Sequence, residues 1–178
     1  LKLMRFSFPI PAVAAILSIP FLFLERNSMW GGNIPSTLAG EFSYSLSLAL
    51  LIIFLGLAYK AVNENKRKFA LPAIVLALVA LTHLATMLVA LLSLAFFLLS
   101  KNVGTIKKNF FSLLVIVGVA LLLASFWLVP AISHIEYTSS FAEDWRIEAS
   151  AYPPEGVLLH FIALYAVYVG VARKDKRI

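Results

Sequence analysis

The chain has 178 residues, 61% of them hydrophobic, with a mean hydropathy of +0.92 and a net charge of +6. Several uncharged runs are long enough to cross a bilayer, so the composition excludes an ordinary soluble domain and indicates a polytopic helical membrane protein. Because the charges stand at the ends of apolar segments and form no basic face with interleaved aromatic residues, the basic excess predicts membrane topology and no nucleic-acid partner.

The first apolar run, Phe6 to Leu24, follows Lys2 and Arg5. It is longer than the apolar part of a usual signal peptide, so it predicts a transmembrane helix that stays in the protein and begins on a basic side. Pro20 is expected to kink or end this helix, because proline removes a backbone donor.

The next two elements are a polar loop and a second span. Residues 25–41 are rich in Gly, Ser, Asn and Pro, and they predict an outer loop that carries Trp30 at the depth of the membrane interface. Phe42 to Tyr59 predicts the returning span. Ser43 and Ser47 are four residues apart on it, so they share one face and are candidates for hydrogen bonds to a neighbouring helix.

The longest uncharged run extends from Phe69 to Ser100, 32 residues, and is interrupted near its middle by Thr82, His83 and Thr86. A continuous helix of this length would reach about 48 Å, whereas a hydrocarbon core is about 30 Å thick. The run therefore predicts either one overlong crossing or a hairpin of two half-length helices with Thr82 and His83 near its tip.

The distribution of Lys and Arg separates these two topologies, because short basic loops prefer the cytoplasmic side. A single crossing places 7 of these residues inside and 8 outside, which is no bias. A hairpin places 13 inside and leaves only Arg26 and Arg146 outside. The charges thus predict the hairpin, and its short arms require a tip that is buried among other helices or lines a wet cavity.

The second half begins with a basic inner loop, residues 101–109, followed by a full span from Phe110 to Val129 that Pro130 is expected to end. Residues 130–156 carry a net charge of −4 and predict an outer segment, in which Ser140 starts a capping-box pattern for a short helix lying in the interface. Val157 to Ala172 predicts a short last span.

The expected fold class is therefore all-α. It is a polytopic transmembrane bundle with four full spans, a hairpin of two short half-helices (about six helices together) and an outer interfacial helix. We treat residues 1–178 as a single domain, because no repeat or low-complexity linker is visible. Residues 25–41 and 130–156 are expected on the extracytoplasmic side and the basic loops on the cytoplasmic side.

Few residues point to chemistry, and each has a structural alternative. His83 is an ionisable group inside the membrane and hence a functional candidate, or else a core histidine satisfied by Thr86 or a backbone carbonyl. Glu41 opens the second span, where it either favours the positive end of the helix dipole or faces a cavity as a base or metal ligand. His134 and Glu136 could share a metal, but their spacing is not diagnostic, and no metal site is predicted.

Three runs carry a resemblance: WGGNIPSTLAGEFSYSL at residues 30–46, LTHLATML at 81–88, and FWLVPAISHIEYTSSF at 126–141. In this order they resemble bacterial and archaeal membrane proteins with the 6-pyruvoyl-tetrahydropterin synthase-related membrane domain. The zinc-binding histidines of the soluble pterin synthase have no counterpart in this chain. The resemblance implies a multi-pass protein of the plasma membrane.

That family is in turn similar, in hydropathy and in its short-helix hairpin, to the C-type glycosyltransferase (GT-C) superfamily. Such enzymes move a sugar from a polyprenyl-phosphate carrier at the outer membrane face, and their catalytic acid lies in the first outer loop after an N-terminal span. The resemblance implies that this chain is a fragment beginning beyond that loop. Glu41 is then only a secondary catalytic candidate, and a divalent metal in the longer protein stays an open question.

The resemblance also assigns roles to the polar residues. The carrier phosphate would be met by the imidazolium of His83 with the hydroxyls of Thr82 and Thr86, and the further substrate-binding candidates are Trp30, His134, Tyr137 and Trp145. The expected partners are the lipid bilayer and a lipid-linked sugar. The alternative function is a non-enzymatic membrane subunit or a transporter, with a substrate path lined by half-helices.

Overall fold

A computed structural model of the protein describes residues 1–24, 32–63, 68–98 and 103–137 and the positions 161, 164, 165 and 168. All regular structure in these residues is helical, as the composition predicts. By its internal contacts the chain divides into two compact units, residues 1–133 and residues 134–178.

The described residues of the first unit contain six α-helices: α1 (Ile10–Leu22), α2 (Ile34–Leu38), α3 (Phe42–Asn63), α4 (Ala70–Thr82), α5 (Leu84–Leu94) and α6 (Val103–Ser133). Short 3₁₀ segments at Lys2–Met4 and Ala95–Leu98 precede α1 and follow α5. In the described residues, α3 and α6 are the two helices long and apolar enough to cross a membrane. The second unit contains a 3₁₀ turn, Ile135–Tyr137.

Four full spans were predicted from the sequence, but in the described residues only two helices are long enough to cross a membrane. Helix α1 covers 13 residues of the run from Phe6 to Leu24, because Pro9 stands at its N-cap and the helix ends soon after Pro20. At about 20 Å it is too short to cross a bilayer unaided. The last predicted span, Val157 to Ala172, falls mostly outside the described residues, although its four described positions are helical.

Helix α6 is longer at both ends than the sequence predicts. It starts at Val103, inside the expected inner loop, and it continues through Pro130 to Ser133. The prediction that Pro130 ends the helix was wrong. In apolar surroundings, unwinding would leave several backbone groups without partners, which costs more than the one donor that proline lacks. The Ser133 hydroxyl also donates to the Val129 carbonyl at 2.9 Å in this last turn.

The polar segment before α3 contains a short helix that the sequence interpretation missed. Asn33 caps α2, since its Oδ1 accepts the Ser36 N–H at 2.9 Å, and Pro35 occupies the first turn. The Asn33 Nδ2 donates to the Leu24 carbonyl at 2.7 Å and so ties α2 to the end of α1. Asn33 and Ser36 are both buried, so this segment is packed structure rather than a simple surface loop.

Helix α4 packs against both long helices, α3 and α6. Three fully buried side chains, one from each helix, mark the centre of this packing: Phe54, Leu76 and Ile116. Around them lie buried alanines that let the backbones approach closely: Ala58, Ala61, Ala73, Ala77, Ala80 and Ala120. This packing buries one face of the 13-residue helix α4, whereas Leu71, Ile74 and Leu78 on its other face are exposed.

Two ring contacts show that α4 and α5 form a hairpin. The ring centroids of Tyr44 and His83 lie 4.8 Å apart, and those of Tyr59 and Phe97 lie 6.2 Å apart. Tyr44 and Tyr59 are fifteen residues, or about 22 Å, apart along α3. Helix α4 therefore runs alongside α3 as far as His83, and α5 returns toward Tyr59. This confirms the predicted hairpin with Thr82 and His83 at its tip.

The described basic residues of the first unit gather at the Tyr59 end of the bundle, which we call the basic end. Leu3 packs on Gly56, where a Cβ would lie 3.0 Å from Leu3 Cδ1, and the Asn109 amide donates to the Phe97 carbonyl at 2.8 Å. These contacts place six cations close to that end: Lys2, Arg5, Lys60, Lys68, Lys107 and Lys108. Lys66, Arg67 and Lys101, which belong to the same predicted clusters, lie outside the described residues.

Candidate functional site

Polar side chains from three helices meet at the end of the bundle opposite the basic end. We call them the tip cluster: Tyr44 and Ser47 of α3, Thr82 of α4, His83 between the helices, and Thr86 of α5. His83 has extended backbone angles, φ −159° and ψ 108°, so this single residue ends α4 and begins α5. A helix break inside an apolar run exposes backbone groups, and these groups need polar partners.

The end of α4 obtains those partners from within the cluster. The Val79 carbonyl accepts the His83 N–H at 3.0 Å, and the Thr82 hydroxyl lies 3.1 Å from it. The Ser47 hydroxyl donates to the same carbonyl at 3.2 Å, from a fully buried position on α3. The predicted bond from this face of α3 to a neighbouring helix is thus confirmed for Ser47. This bond fixes the axial position of α4 relative to α3 and so positions the hairpin tip.

The start of α5 is capped by the histidine itself. His83 Nδ1 accepts the Thr86 N–H at 3.3 Å and lies 3.0 Å from the Thr86 hydroxyl, which is nearly fully buried. The ring of Tyr44 packs against the imidazole at a tilt of 40°. The imidazole is therefore held by a hydrogen bond at Nδ1 and by an aromatic contact.

One of the two interpretations that the sequence left open for His83 has a counterpart in this geometry. The bond to Thr86 is the one expected of a structural histidine. The other ring nitrogen, Nε2, has no hydrogen-bond partner among the described residues, and the side chain is half-buried. One nitrogen thus contributes to the fold, and the other is accessible at the tip.

Glu41 stands directly before α3, and it is the one acidic residue among the described positions of the first unit. Its backbone N–H donates to the Ser36 carbonyl at 3.0 Å, and its own carbonyl accepts the Ser45 N–H at 3.3 Å. It precedes Tyr44 by three residues, so the two share one face of the helix start, near the ring of His83. This position suits the positive end of the α3 dipole as well as a ligand-facing carboxylate.

Hydroxyl groups extend the polar surface from the tip cluster toward α2. The Thr37 and Ser45 hydroxyls are 2.6 Å apart, and Thr37 also donates to the Asn33 carbonyl at 2.8 Å. Sequence reasoning did not find Tyr44, Thr37 or Asn33 as neighbours of the hairpin tip. The Asn-x-Pro pattern at residues 33–35 is the one local signal that could have indicated the capped helix.

The remaining predicted site residues belong to other parts of the chain. His134 and Tyr137 lie in the second unit, where their exposed rings are 6.0 Å apart and the Tyr137 N–H donates to the His134 carbonyl at 3.0 Å. Trp30, Trp145 and the predicted interfacial helix from Ser140 lie outside the described residues. Their assignment to a substrate rests on the sequence.

A family model described as 6-pyruvoyl-tetrahydropterin synthase related domain, membrane protein, matches residues 2–173. Neither a curated protein nor a solved structure matches the chain. The matched range includes every residue of the tip cluster and of both short hairpin helices.

Proposed function

The chain belongs to the family of 6-pyruvoyl-tetrahydropterin synthase-related membrane proteins, and on this premise we propose that it is a glycosyltransferase-like membrane module. In this proposal it holds a polyprenyl-phosphate-linked sugar at the tip of the α4–α5 hairpin, on the outer face of a bacterial or archaeal plasma membrane. The proposed substrate class is the one that C-type glycosyltransferases use.

The proposed orientation rests on the separation of charge along the bundle. The six described cations of the first unit lie at the basic end, whereas Glu41 and the tip cluster lie at the other. Helix α3, at about 33 Å, is long enough to separate these two ends by a hydrocarbon core of about 30 Å. By the preference of basic segments for the cytoplasm, the hairpin tip and residues 32–41 would face outward.

The observation that carries the proposal is the polar tip cluster inside an apolar bundle. Ser47 lies about one helical turn inside the start of α3, so the cluster would sit just below the outer interface, at the depth of a lipid phosphate. The carrier phosphate would meet His83, the half-buried side chain at the break, while the polyprenyl tail stays in the bilayer. Placing polar groups at this depth costs free energy unless they bind a ligand or form hydrogen bonds within the protein.

A binding experiment tests this proposal. The protein in lipid nanodiscs should bind a polyprenyl-phosphate-linked hexose at least about 10-fold more tightly than the polyprenol of equal length, since hydrogen bonds to a charged group contribute about 1.5–3 kcal/mol. Equal affinities for the two lipids would mean that the tip does not recognise phosphate, and the proposal would fail.

The alternative is a transporter or a non-enzymatic membrane subunit, and the broken helix at His83 favours it in one respect. Discontinuous helices line substrate paths in many transporters, which usually carry such breaks in two corresponding halves. Among the described residues, α4 and α5 form the one such pair, and the Val79 carbonyl at the break is occupied by donors of the protein itself. This occupancy favours the lipid-binding proposal over a cation path at the break.

A further inference from the structure

The capping contacts at the hairpin tip favour one tautomer of His83. The Thr86 N–H donates to the His83 carbonyl at 3.1 Å and also to His83 Nδ1 at 3.3 Å. A backbone N–H can only donate, so the second contact needs a lone pair on Nδ1. The capped helix therefore favours the tautomer with its proton on Nε2.

The proton on Nε2 has no acceptor in the described structure. Every buried side-chain nitrogen or oxygen of the described residues has a hydrogen-bond partner, and Nε2 has none there, so this atom reaches an accessible surface. The ring cannot turn freely to find another partner, because Thr86 holds Nδ1 and Tyr44 packs against the ring. The N–H group thus has a fixed direction.

We propose that His83 acts as a neutral, preoriented hydrogen-bond donor whose Nε2–H binds an oxygen of the phosphate-linked sugar lipid, and that Thr86 is the positioning residue that sets its tautomer and direction. This inference rests on the function proposed above for the hairpin tip. Its advantage is physical: a donor held in place before binding loses little conformational entropy when the ligand arrives. A neutral donor also avoids the cost of holding a charge within the membrane.

Two substitutions separate the roles of the two ring nitrogens. Asparagine is a good N-cap and can accept the Thr86 N–H, but its short amide cannot reach the position of Nε2. Glutamine is a poorer cap, but its longer amide can place a donor near that position. His83→Asn should therefore keep the melting temperature close to that of the wild type and lower lipid affinity at least about 10-fold. His83→Gln should lower the melting temperature and keep affinity in the folded fraction within about 3-fold, as expected for a retained hydrogen bond.

A matched pair at position 86 tests the positioning role. Thr86→Val keeps the shape of this buried side chain but removes the hydroxyl beside Nδ1, whereas Thr86→Ser keeps the hydroxyl. We expect Thr86→Val to weaken lipid binding several-fold and Thr86→Ser to restore it. Equal binding by the two variants would show that the Thr86 hydroxyl does not position the histidine.

A spectroscopic readout makes the tautomer testable without any ligand. In protein labelled with ¹⁵N-histidine, the His83 signals, identified by their loss in His83→Asn, should show an unprotonated Nδ1 and a protonated Nε2. A protonated Nδ1 would overturn the inference while leaving the proposed function intact. Failure of the wild type to bind the lipid, with the tautomer as expected, would overturn the proposed function and the ligand assigned to Nε2.

The choice of lipid probe shows whether the oxygen that accepts the Nε2–H bond belongs to the phosphate or to the sugar. If the His83→Asn defect is equally large with polyprenyl phosphate that lacks a sugar, Nε2–H binds a phosphate oxygen. A defect seen only with the hexose-linked lipid identifies a sugar oxygen instead. An affinity unchanged by His83→Asn with both lipids would show that Nε2 makes no contact with either, and the inference would be wrong.

Discussion

The rings of Tyr59 and Phe97 lie 6.2 Å apart, although the chain between them travels to the far end of α3 and back. The contact closes the base of the hairpin, and the bond from Asn109 to the Phe97 carbonyl joins the start of α6 to the same place. Both ends of the longest uncharged run are therefore at one end of the bundle. This arrangement explains why basic residues flank the run on both sides.

Membrane sidedness can be tested directly, because the chain contains no cysteine. Lys68→Cys and Lys107→Cys should both react with an impermeant thiol reagent from the cytoplasmic side only. Leu38→Cys, at an exposed position of α2, should react from the opposite side. If the two lysine positions are labelled from opposite sides, the hairpin does not return and the topology is wrong.

Ser47 should contribute to stability through its bond to the Val79 carbonyl. Ser47→Ala removes a buried interhelical hydrogen bond, which in membrane proteins is worth about 0.6 kcal/mol on average and up to about 1.7 kcal/mol. We therefore expect a loss of stability in this range in reversible unfolding in detergent. The control is Ser43→Ala, one turn earlier on α3. Equal losses for the two variants would mean that the bond to Val79 contributes nothing specific.

Gly32 should resist substitution because of both its backbone and its surroundings. Its φ of 62° is left-handed, and a Cβ there would lie 3.0 Å from Leu48 Cδ2. Left-handed backbone costs an L-residue about 1–2 kcal/mol, so Gly32→Ala should destabilise the protein by at least that amount.

Gly118→Ala is the matched control for Gly32→Ala. Gly118 lies within α6, and a Cβ there would meet no atom within 4 Å. Alanine is favoured over glycine in a helix by about 1 kcal/mol, so this variant should be neutral or more stable. Thermal unfolding of both variants in one detergent provides the comparison. A loss at Gly118 equal to that at Gly32 would show that neither φ nor the Leu48 contact is responsible.

Glu41 is the first residue to test for a catalytic role, because it is the one carboxylate in the described part of the first unit and stands close to the hairpin tip. If Glu41 acts as a general base, Glu41→Gln should lower the turnover of a polyprenyl-phosphate hexose at least about 100-fold, as is typical when general acid–base catalysis is lost. Equal turnover by Glu41→Gln and the wild type would exclude this role for Glu41.

The features predicted correctly from the sequence depend on local patterns. The uncharged run around His83 is too long for one crossing and has cations on both sides. The chain must therefore reverse its direction within this run, however the neighbouring helices pack. The contact of Tyr44 with His83 could not be predicted in this way, because it depends on the register in which α3 packs against α4. Ser47 was identified by its helical face, but its acceptor, the Val79 carbonyl, became known only from that register.

The errors have a common physical origin in the surroundings of the chain. Pro130 ends a helix in water but not in α6, where the unwound alternative would leave more backbone groups unsatisfied. The polar composition of residues 25–41 suggested only a loop, yet buried Asn33 caps α2 and binds the Leu24 carbonyl. In each case tertiary or solvent context outweighed the local propensity.

Photo-cross-linking of a polyprenyl-phosphate hexose with a diazirine beside its phosphate tests most directly whether the hairpin tip binds the carrier. We expect adducts on peptides that contain His83 or Tyr44, and we expect competition by unlabelled polyprenyl phosphate but not by polyprenol. Adducts concentrated at the basic end, near Lys60 or Lys107, or adducts that polyprenyl phosphate does not displace, would contradict binding at the tip.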